Sequence, residues 1–197
     1  MKIVLSLFDY TTNMVQPWAR TNHTCFCVDI QHPKGTIKKE KNIYTVGADI
    51  MDYFPPREQV KIVFAFPPCT HLAVSGARHF KHKGLKSLIN SLSLFNRAVE
   101  LAEYIAAPYM IENPVSTVST YYRKPDYIFQ PWQYGDYYTK KTCLWVGNEF
   151  VMPDPVFKNP PPNIKSKMHL LPPSKERASL RSATPKNFAT WVWMANV

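Results

Sequence analysis

One segment constrains the fold of this chain more than any other, because it predicts a long helix between two buried strands. Apolar residues recur at helical spacing across residues 85–106, and polar residues occupy the other faces. The apolar runs on either side, residues 61–66 and 109–111, have the length of strands. A helical connection of this length joins parallel strands, since antiparallel neighbours need only a short hairpin.

Two further apolar runs, residues 3–8 and 24–30, also have the composition of buried strands. Three of the four predicted strands lead to residues with reactive or charged side chains, namely Asp29, Cys69 and Glu112. Ligands of an open parallel sheet bind beyond the carboxyl ends of its strands. The sequence therefore predicts an α/β fold with a mostly parallel sheet, helices on both faces, and a site at that edge.

The length of 197 residues suits one domain with a buried core, so we predict a single domain spanning residues 1–197. Residues 153–173 are rich in proline and basic side chains, and they are predicted to form a surface loop because proline interrupts regular helix. Beyond them, Thr184 and Pro185 have the residue types of an N-cap and a first helical position. This pair predicts a last helix.

The composition argues against a membrane or metal protein. Apolar residues make up 45% of the chain, yet no run approaches the roughly 18 residues that a membrane span needs. The first residues show no signal-peptide cleavage site, so we expect a cytoplasmic protein. Cys25 and Cys27 alternate with apolar residues as in an ordinary strand, and His79 and His82 lack the context of metal ligands. No metal site is predicted.

The formal net charge of +10 favours a polyanionic partner. Lys and Arg side chains that lie next to phosphates release condensed counterions, which stabilises binding. Basic side chains are concentrated shortly after Cys69, and they comprise Arg78, His79, Lys81, His82 and Lys83. A solvated basic loop has the same composition, so that alternative stays open.

Cys69 and Glu112 are the residues with the clearest chemistry. Cys69 directly follows Pro67 and Pro68, so a stiff loop presents its sulfur, and a thiolate can attack an electrophilic carbon. Attack at C6 of a cytosine ring requires that N3 be protonated or hydrogen-bonded, and a carboxyl group such as that of Glu112 meets this need. A buried structural thiol and an ion-paired carboxylate are the alternatives.

Six motifs in order carry a resemblance over nearly the whole chain. The two that are specific in combination are Phe66-Pro67-Pro68-Cys69-Thr70 through Ser75-Gly76, and Ile111-Glu112-Asn113-Pro114-Val115. The weaker ones are Leu5-Ser6-Leu7-Phe8-Asp9, Val28-Asp29-Ile30, Gly47-Ala48-Asp49-Ile50, and Arg181-Ser182-Ala183-Thr184-Pro185 with Phe188-Ala189. In these motifs the chain resembles the catalytic domain of the DNA cytosine-C5 methyltransferases, especially the short members without a target-recognition domain that are common in phage genomes.

This resemblance implies a Rossmann-like, S-adenosylmethionine-dependent methyltransferase fold, with Cys69 as the nucleophile and S-adenosylmethionine as the methyl donor. Asp29 would accept hydrogen bonds from the ribose hydroxyls. Phe8, Asp49 and Ile50 would border the adenine. The full set of cofactor-binding residues that the resemblance implies is Phe8, Asp9, Thr11, Asp29, Ile30, Asp49, Ile50, Pro67 and Ser182.

The chain departs from the family at two places. The first motif of the family carries glycines that let the backbone approach the cofactor, where this chain has Tyr10 and Thr12. A later segment of the family carries two arginines where this chain has Lys140 and Thr142. Lys140 or Lys141 is expected to supply the catalytic charge, although lysine lacks the planar fork of arginine.

The family inserts a target-recognition domain after this segment, and few residues remain here to read bases. We therefore expect methylation with low or short sequence specificity, on duplex DNA whose target cytosine is flipped out of the helix. The expected setting is the cytoplasm of an infected bacterial host, where methylation would mask a genome from restriction. Contacts with DNA are predicted at Ser75, Arg78, His79, Lys81 and Lys83.

Two alternatives remain. The missing glycines fit a catalytically inactive relative that binds DNA or a host protein, although binding alone requires neither Cys69 nor Glu112. The missing target-recognition domain fits methylation of free cytidine nucleotides or of RNA. A steep dependence of binding on salt would indicate a polymer, since a single nucleotide releases few counterions.

Overall fold

A computed structural model describes residues 2–164, 166, 172, 174 and 177–197, with positions 77, 78 and 177–179 described by their backbone alone. Over these residues the chain forms one eight-stranded sheet with helices on both faces, so the predicted α/β class is confirmed. The strands are β1 (Ile3–Leu7), β2 (Cys25–Val28), β3 (Gly35–Glu40), β4 (Ile43–Gly47), β5 (Val60–Ala65), β6 (Tyr109–Pro114), β7 (Tyr127–Phe129) and β8 (Thr142–Gly147).

The helices are α1 (Gln16–Arg20), α2 (Phe80–Ile105), α3 (Val118–Tyr121), α4 (Arg177–Ser182) and α5 (Lys186–Asn196). Short 3₁₀ turns occur at Arg57–Gln59, Val74–His79 and Pro131–Tyr134. Residues 153–164 form neither helix nor strand, in keeping with their prolines. Most of the remainder of the predicted loop, including residues 167–171, lies outside the described residues.

The sheet order is β3-β4-β2-β1-β5-β6-β8-β7. The strands from β4 to β6 in this order pair in parallel, whereas β3, β8 and β7 join antiparallel, so the sheet is parallel at its centre and mixed at its edges. The chain order reverses between β1 and β5, which is where an open α/β sheet forms its ligand crevice. The Phe66 amide donates to the Leu7 carbonyl at 3.0 Å, so the loops after β1 and β5 begin side by side.

Helix α2 packs on one face of the sheet, and α1 and α5 pack on the other. Every residue of β1 is buried, as expected for a strand that is covered on both faces. The predicted long helix is confirmed, with a break at Gly84, where φ is 76°. Leu85 and Ile89, predicted on its apolar face, are 69% and 52% exposed, because the first turns extend beyond the core.

The start of the last helix differs from the prediction. Helix α5 begins at Lys186, and the cap position is Pro185, with no capping bond from its own side chain. Asp136 takes that role from a distant loop, since its Oδ2 accepts the amides of Asn187 and Phe188 at 3.1 and 3.2 Å. Thr184 is therefore not the N-cap, and a carboxylate distant in sequence satisfies the free N–H groups instead.

Candidate active site

The loop after β5 carries Cys69 at the carboxyl edge of the sheet. Pro67 is buried, whereas Cys69 is partly exposed. The Cys69 carbonyl accepts the backbone N–H groups of Leu72 and Ala73 at 3.0 and 2.9 Å, which turns the chain sharply after the cysteine. A rigid Pro-Pro approach followed by this turn keeps the Cys69 side chain partly open to solvent.

Asn113 joins this loop to the neighbouring strand β6. Its side chain is fully buried, and Nδ2 donates to the Pro67 carbonyl at 3.0 Å. Two buried polar atoms near the loop, Asn113 Oδ1 and His71 Nδ1, have no hydrogen-bond partner within the described part of the chain. In the sequence, the only signal for Asn113 was its position directly after Glu112.

Glu112 was predicted at the end of its strand, but it lies inside β6. The strand is longer than predicted because β8 continues the antiparallel ladder through Pro114. The parallel pairing with β5 ends at Ile111, so Glu112 is the first residue beyond the parallel part of the sheet. Lys140 Nζ lies 3.4 Å from Glu112 Oε1, and the side chains are 15% and 14% exposed. The predicted acid and one of the two predicted lysines are therefore paired in a largely desolvated place.

Hydrogen bonds on both sides fix the backbone of Lys140. Its amide donates to Gln130 Oε1 at 2.9 Å, and its carbonyl accepts the Thr142 hydroxyl at 2.8 Å. Thr142 is 1% exposed, so its side chain supports this turn. Lys141 is exposed, and the structure thus distinguishes the two candidates: Lys140, not Lys141, contacts Glu112.

Four side chains from separate segments define the electrostatics of the site. Burial raises the pKa of the Cys69 thiol, and the negative charge of Glu112 raises it further. The positive charges of Lys140 and Arg181 lower the pKa of the same thiol. Arg181 had been noted in the sequence only as part of a motif.

Tyr138 belongs to the same neighbourhood and was missed in the sequence. Burial raises the pKa of its phenol, and the negative charges of Asp136 and Glu112 raise it further. The hydroxyl therefore stays protonated at neutral pH and is a potential hydrogen-bond donor beside Glu112.

The loop after β1 is organised around Asp9. This carboxylate accepts the Ser6 hydroxyl at 2.7 Å, the Thr11 hydroxyl at 3.2 Å and the Thr12 amide at 2.7 Å. Asp9 is 3% exposed, and burial raises its pKa. Asp9 and Thr11, both predicted to bind cofactor, are thus bonded to each other and hold the shape of the loop.

Two residues of this loop have left-handed backbone conformations. The φ angles of Phe8 and Thr12 are 56° and 60°. This region costs an ordinary L-residue roughly 1–2 kcal/mol, and a β-branched side chain is rarely found there. Such strain concentrates at functional sites. The loop therefore has the path that glycine favours, although Thr12 occupies one of its two left-handed positions.

Two carboxylates follow β2 and β4. Asp29 is 7% exposed, and its Oδ1 accepts the amide and the side-chain Nε2 of Gln31 at 2.8 and 3.2 Å. Ile30, next to it, is 70% exposed. Asp49 is exposed, and its Oδ1 accepts the Met51 amide at 3.0 Å. Both carboxylates therefore sit in short turns at the predicted cofactor edge.

Of the other residues predicted to border the adenine, Ile50 is buried and Phe8 is partly buried. Ile50 is 2% exposed and belongs to the core under α2, against which Phe8 also packs. Above them, the rings of Tyr10 and His32 lie 5.3 Å apart, and His32 Nε2 lies 3.1 Å from the Asp9 carbonyl oxygen. Tyr10 and His32 thus form an aromatic pair over the loop after β1.

The segment that resembles the closing motif reaches this loop. Asn13 Nδ2 donates to the Thr184 carbonyl at 3.2 Å, and Thr184 is 7% exposed. Ser182, predicted to bind cofactor, is exposed at the end of α4. The segment between α4 and α5 therefore lies beside the loop after β1.

The predicted nucleic-acid contacts lie on the 3₁₀ turn after the Cys69 loop and on the first turn of α2. Those whose side chains are described as exposed are Ser75, His79 and Lys81. Lys83 Nζ donates to the Thr70 carbonyl at 2.7 Å and so ties this basic segment to the loop of Cys69. The side chain of Arg78 lies outside the described part of the structure.

A surface depression of ≈ 410 Å³ lies between Met51 and α2, and none of the predicted site residues lines it. In the part of the chain that the structure describes, His, Cys, Asp and Glu side chains form no group of three that could hold a metal ion. No described helix is both long enough and apolar enough to cross a membrane.

No protein-family model matches this chain, and no curated protein matches it.

Proposed function

We propose that the chain is a DNA cytosine-C5 methyltransferase of low or short sequence specificity, with a Rossmann-like fold that binds S-adenosylmethionine. One observation carries the proposal: Cys69 lies in the loop after β5, Glu112 is the first residue of the adjacent β6 beyond its parallel pairing with β5, and the two share one electrostatic neighbourhood with Lys140. A partly exposed thiol, a carboxyl group and a cation are the groups that activate a cytosine ring toward addition at C6.

In the proposed reaction, the Cys69 thiolate forms an S–C6 bond while Glu112, in its protonated form, donates a hydrogen bond or a proton at N3, and a proton given to N3 returns to Glu112 when the S–C6 bond breaks. The addition makes C5 nucleophilic. Bound S-adenosylmethionine would supply the electrophilic methyl group that C5 takes up and would leave as S-adenosylhomocysteine. Transfer of the C5 proton to solvent then re-forms the C5–C6 double bond, breaks the S–C6 bond and returns the thiolate.

Lys140 has a specific task in this scheme. A thiolate and a carboxylate in one desolvated place oppose each other's ionisation. The ammonium group 3.4 Å from Glu112 offsets part of that repulsion. Gln130 and Thr142 bond to the backbone of Lys140 and hold the residue in position. Neither of these two bonds involves the ammonium group.

The residues beyond β1, β2 and β4 fit the adenosine part of the cofactor. The described bonds to Asp29 involve Oδ1, so Oδ2 is available for a ribose hydroxyl. Exposed Ile30 and partly buried Phe8 offer apolar surface for an adenine ring. The left-handed backbone of Thr12 keeps the turn that glycine usually provides, so the threonine does not by itself argue against cofactor binding.

The charge distribution supports a polymeric substrate. The net charge is +10, and the exposed basic side chains of His79 and Lys81 follow the Cys69 loop. A flipped base requires contacts that hold the flanking phosphates, and such contacts make binding depend steeply on salt. A shallow salt dependence would favour a free nucleotide, and transfer to single-stranded RNA but not to DNA would favour RNA.

The decisive experiment measures transfer of labelled methyl from S-adenosylmethionine to cytosine-containing duplex DNA, followed by base analysis. We expect label on C5 of cytosine, its loss in Cys69→Ala by about a thousandfold or more, and a large reduction in Glu112→Gln. Glu100→Gln is the matched control, because Glu100 is an exposed carboxylate on α2 that should be dispensable.

Absence of transfer together with absence of cofactor binding would contradict the proposal and favour an inactive DNA-binding relative. Label that persists in Cys69→Ala would retain methyl transfer but reject Cys69 as the nucleophile. Label on any other atom of the base would reject the reaction itself.

A further inference from the structure

The segment that follows β6 is joined to the loop of Cys69 along its backbone. The Val74 amide donates to the Val115 carbonyl at 3.0 Å. The Thr117 amide donates to the Leu72 carbonyl at 3.1 Å. Helix α3 begins at the next residue, so these two bonds fix its start directly beside the Cys69 loop.

The edge strand β7 lies level with Glu112. Leu144 of β8 pairs with Glu112 on one side and with Tyr127 on the other. Neighbouring strands are about 4.8 Å apart, so roughly 10 Å separates the backbones of Tyr127 and Glu112. In the described part of the chain, β7 is the last strand of the sheet. The sheet thus ends in an open edge close to the candidate active site.

Several large side chains of α3, β7 and the turn between them are exposed. The exposed fractions are 62% for Tyr121, 42% for Tyr122, 41% for Tyr127 and 52% for Ile128. Exposed apolar and aromatic side chains that lie together mark an interaction site. The name β7-edge surface is used below for the exposed side chains of Tyr121, Tyr122, Lys124, Tyr127 and Ile128.

The β7-edge surface carries positive charge. Asp126 is the one acidic residue among positions 119–128, and its Oδ2 lies 2.6 Å from Arg123 Nη1. Arg123 also lies over the Tyr122 ring, 5.4 Å from its centre, and so holds the turn together. Lys124 is exposed, and the segment has no further carboxylate to offset its charge. Aromatic rings with net positive charge are complementary to the bases and phosphates of a nucleic-acid strand.

We propose that the β7-edge surface binds unpaired nucleotides of a nucleic-acid strand, with Tyr121 and Tyr127 stacked on bases and Lys124 next to a phosphate. A ring stacks on a base only where the face of that base is free, so this surface selects single-stranded or locally opened nucleic acid. Stacking tolerates many sequences, in keeping with a chain that has few residues to read base edges. That the bound strand presents a cytosine to Cys69 rests on the proposed function, whereas the binding itself does not.

The test is binding of a fluorescent single-stranded oligonucleotide and of its duplex to the full chain, measured by anisotropy at several salt concentrations. We expect tighter binding of the single strand. Tyr121→Ala and Tyr127→Ala should each weaken that binding by roughly five- to tenfold, since each removes a stacked ring, and Tyr121→Phe should retain it. Lys124→Ala should reduce the slope of log affinity against log salt by about 0.7.

Two exposed residues away from this surface provide matched controls. Tyr104 is 51% exposed near the end of α2, and Lys38 is exposed on β3 at the opposite end of the sheet. Tyr104→Ala and Lys38→Ala should leave the affinity within about twofold of the unaltered protein.

Unchanged affinity in both Tyr121→Ala and Tyr127→Ala would overturn the proposal, and so would an equal loss in Tyr104→Ala. Circular dichroism identifies a variant that does not fold, and photo-crosslinking of the unaltered protein then decides. Irradiated 5-iodouracil forms a bond from C5 to a neighbouring aromatic ring and releases hydrogen iodide. Crosslinks at Tyr121 or Tyr127 would support the proposal, and crosslinks confined to other residues would contradict it.

A failure of the proposed function gives a different result. Single-strand binding that depends on Tyr121, without methyl transfer, would support this inference and reject the reaction. Methyl transfer with full single-strand affinity in Tyr121→Ala and Tyr127→Ala would retain the reaction and reject this surface. Self-association that Tyr121→Ala abolishes, with unchanged nucleic-acid binding, would assign the surface to a second copy of the chain and overturn the proposal.

Discussion

The two halves of the carboxyl edge are organised in opposite ways. On the β5–β6 side, Cys69 is partly exposed, and Glu112 and Lys140 act on it from neighbouring segments. On the β1–β2 side, Asp9 is buried and accepts three hydrogen bonds from its own loop. One half presents reactive groups to a ligand, whereas the other uses its polar groups to hold a strained turn.

This difference predicts which substitutions should affect the reaction rate and which should affect stability. Substitutions of Cys69 and Lys140 on the β5–β6 side should change rates first, because both residues act directly in the proposed reaction. Substitutions of Asp9 should change stability first, because three donors depend on it and those of Ser6 and Thr12 are buried.

The largest effect is expected for Asp9→Ala. It removes the acceptor of the Ser6 and Thr11 hydroxyls and of the Thr12 amide, which should lower the free energy of unfolding by about 3 kcal/mol. Urea denaturation measures this value. The control is Asp52→Ala at an exposed position, where the change should stay within about 0.5 kcal/mol. Equal stability of the two variants would show that Asp9 does not organise the loop.

The free energy of unfolding should also depend on pH through Asp9. Burial raises the pKa of Asp9 in the folded state, so its contribution to stability is fully present below the unfolded-state pKa and is lost as pH rises through the folded-state value. Asp9→Asn keeps an acceptor and removes the charge. The stability difference between the two proteins should therefore shift in favour of Asp9→Asn as pH rises from about 3 toward 7. A difference that does not vary with pH would contradict this account.

On the opposite half, Lys140→Ala should reduce methyl transfer by roughly ten- to a hundredfold, because Glu112 loses a charged partner in a desolvated place. Lys141→Ala should change the rate less than about twofold, since Lys141 is exposed. The kcat/KM values of the two variants, with melting temperatures as a check on folding, make the comparison. A reversed order would reject the assignment of Lys140.

Asp29→Ala is expected to weaken the binding of S-adenosylmethionine by about tenfold, because one or two hydrogen bonds to the ribose are lost. Equilibrium dialysis or calorimetry gives the affinity directly. Asp52→Ala again serves as the control. Unchanged binding in Asp29→Ala would show that Asp29 does not contact the cofactor. It would also weaken the resemblance at Val28-Asp29-Ile30.

The smallest effect is expected for Thr12→Gly. Glycine relieves the left-handed strain but makes the unfolded chain more flexible, so the free energy of unfolding should change by less than about 1 kcal/mol. Cofactor affinity should be equal or higher. Circular dichroism melts and binding measurements test both. A loss of affinity would mean that the threonine side chain, not the turn, is what this loop requires.

The strands that were predicted from sequence are those with continuous apolar runs, since burial on both faces leaves a clear pattern. Strand β3 was not predicted, because Gly35–Glu40 is exposed throughout and carries neither an apolar run nor alternation. Strand β7 has three residues and depends on pairing with β8. Edge strands of this kind are determined by their neighbours, not by their own composition.

The candidate site was predictable where a motif carried it, as for Cys69 and Glu112. The residues that tune it were not. Lys140 was distinguished from Lys141 only by the turn that Thr142 fixes, and Asn113 bonds to Pro67 only because β6 lies beside β5. Such long-range approaches leave no local pattern, because no spacing rule relates the positions concerned.

The bond from Asp136 to the start of α5 has a consequence for protein synthesis. The loop that leads to Lys140 is anchored to residues 187 and 188, some fifty positions later. When a ribosome has synthesised β8, the residues that provide this anchor are still to come. Because Phe188 and Ala189 of α5 belong to the core on their face of the sheet, the turn of Lys140 and this half of the core should become ordered together during synthesis.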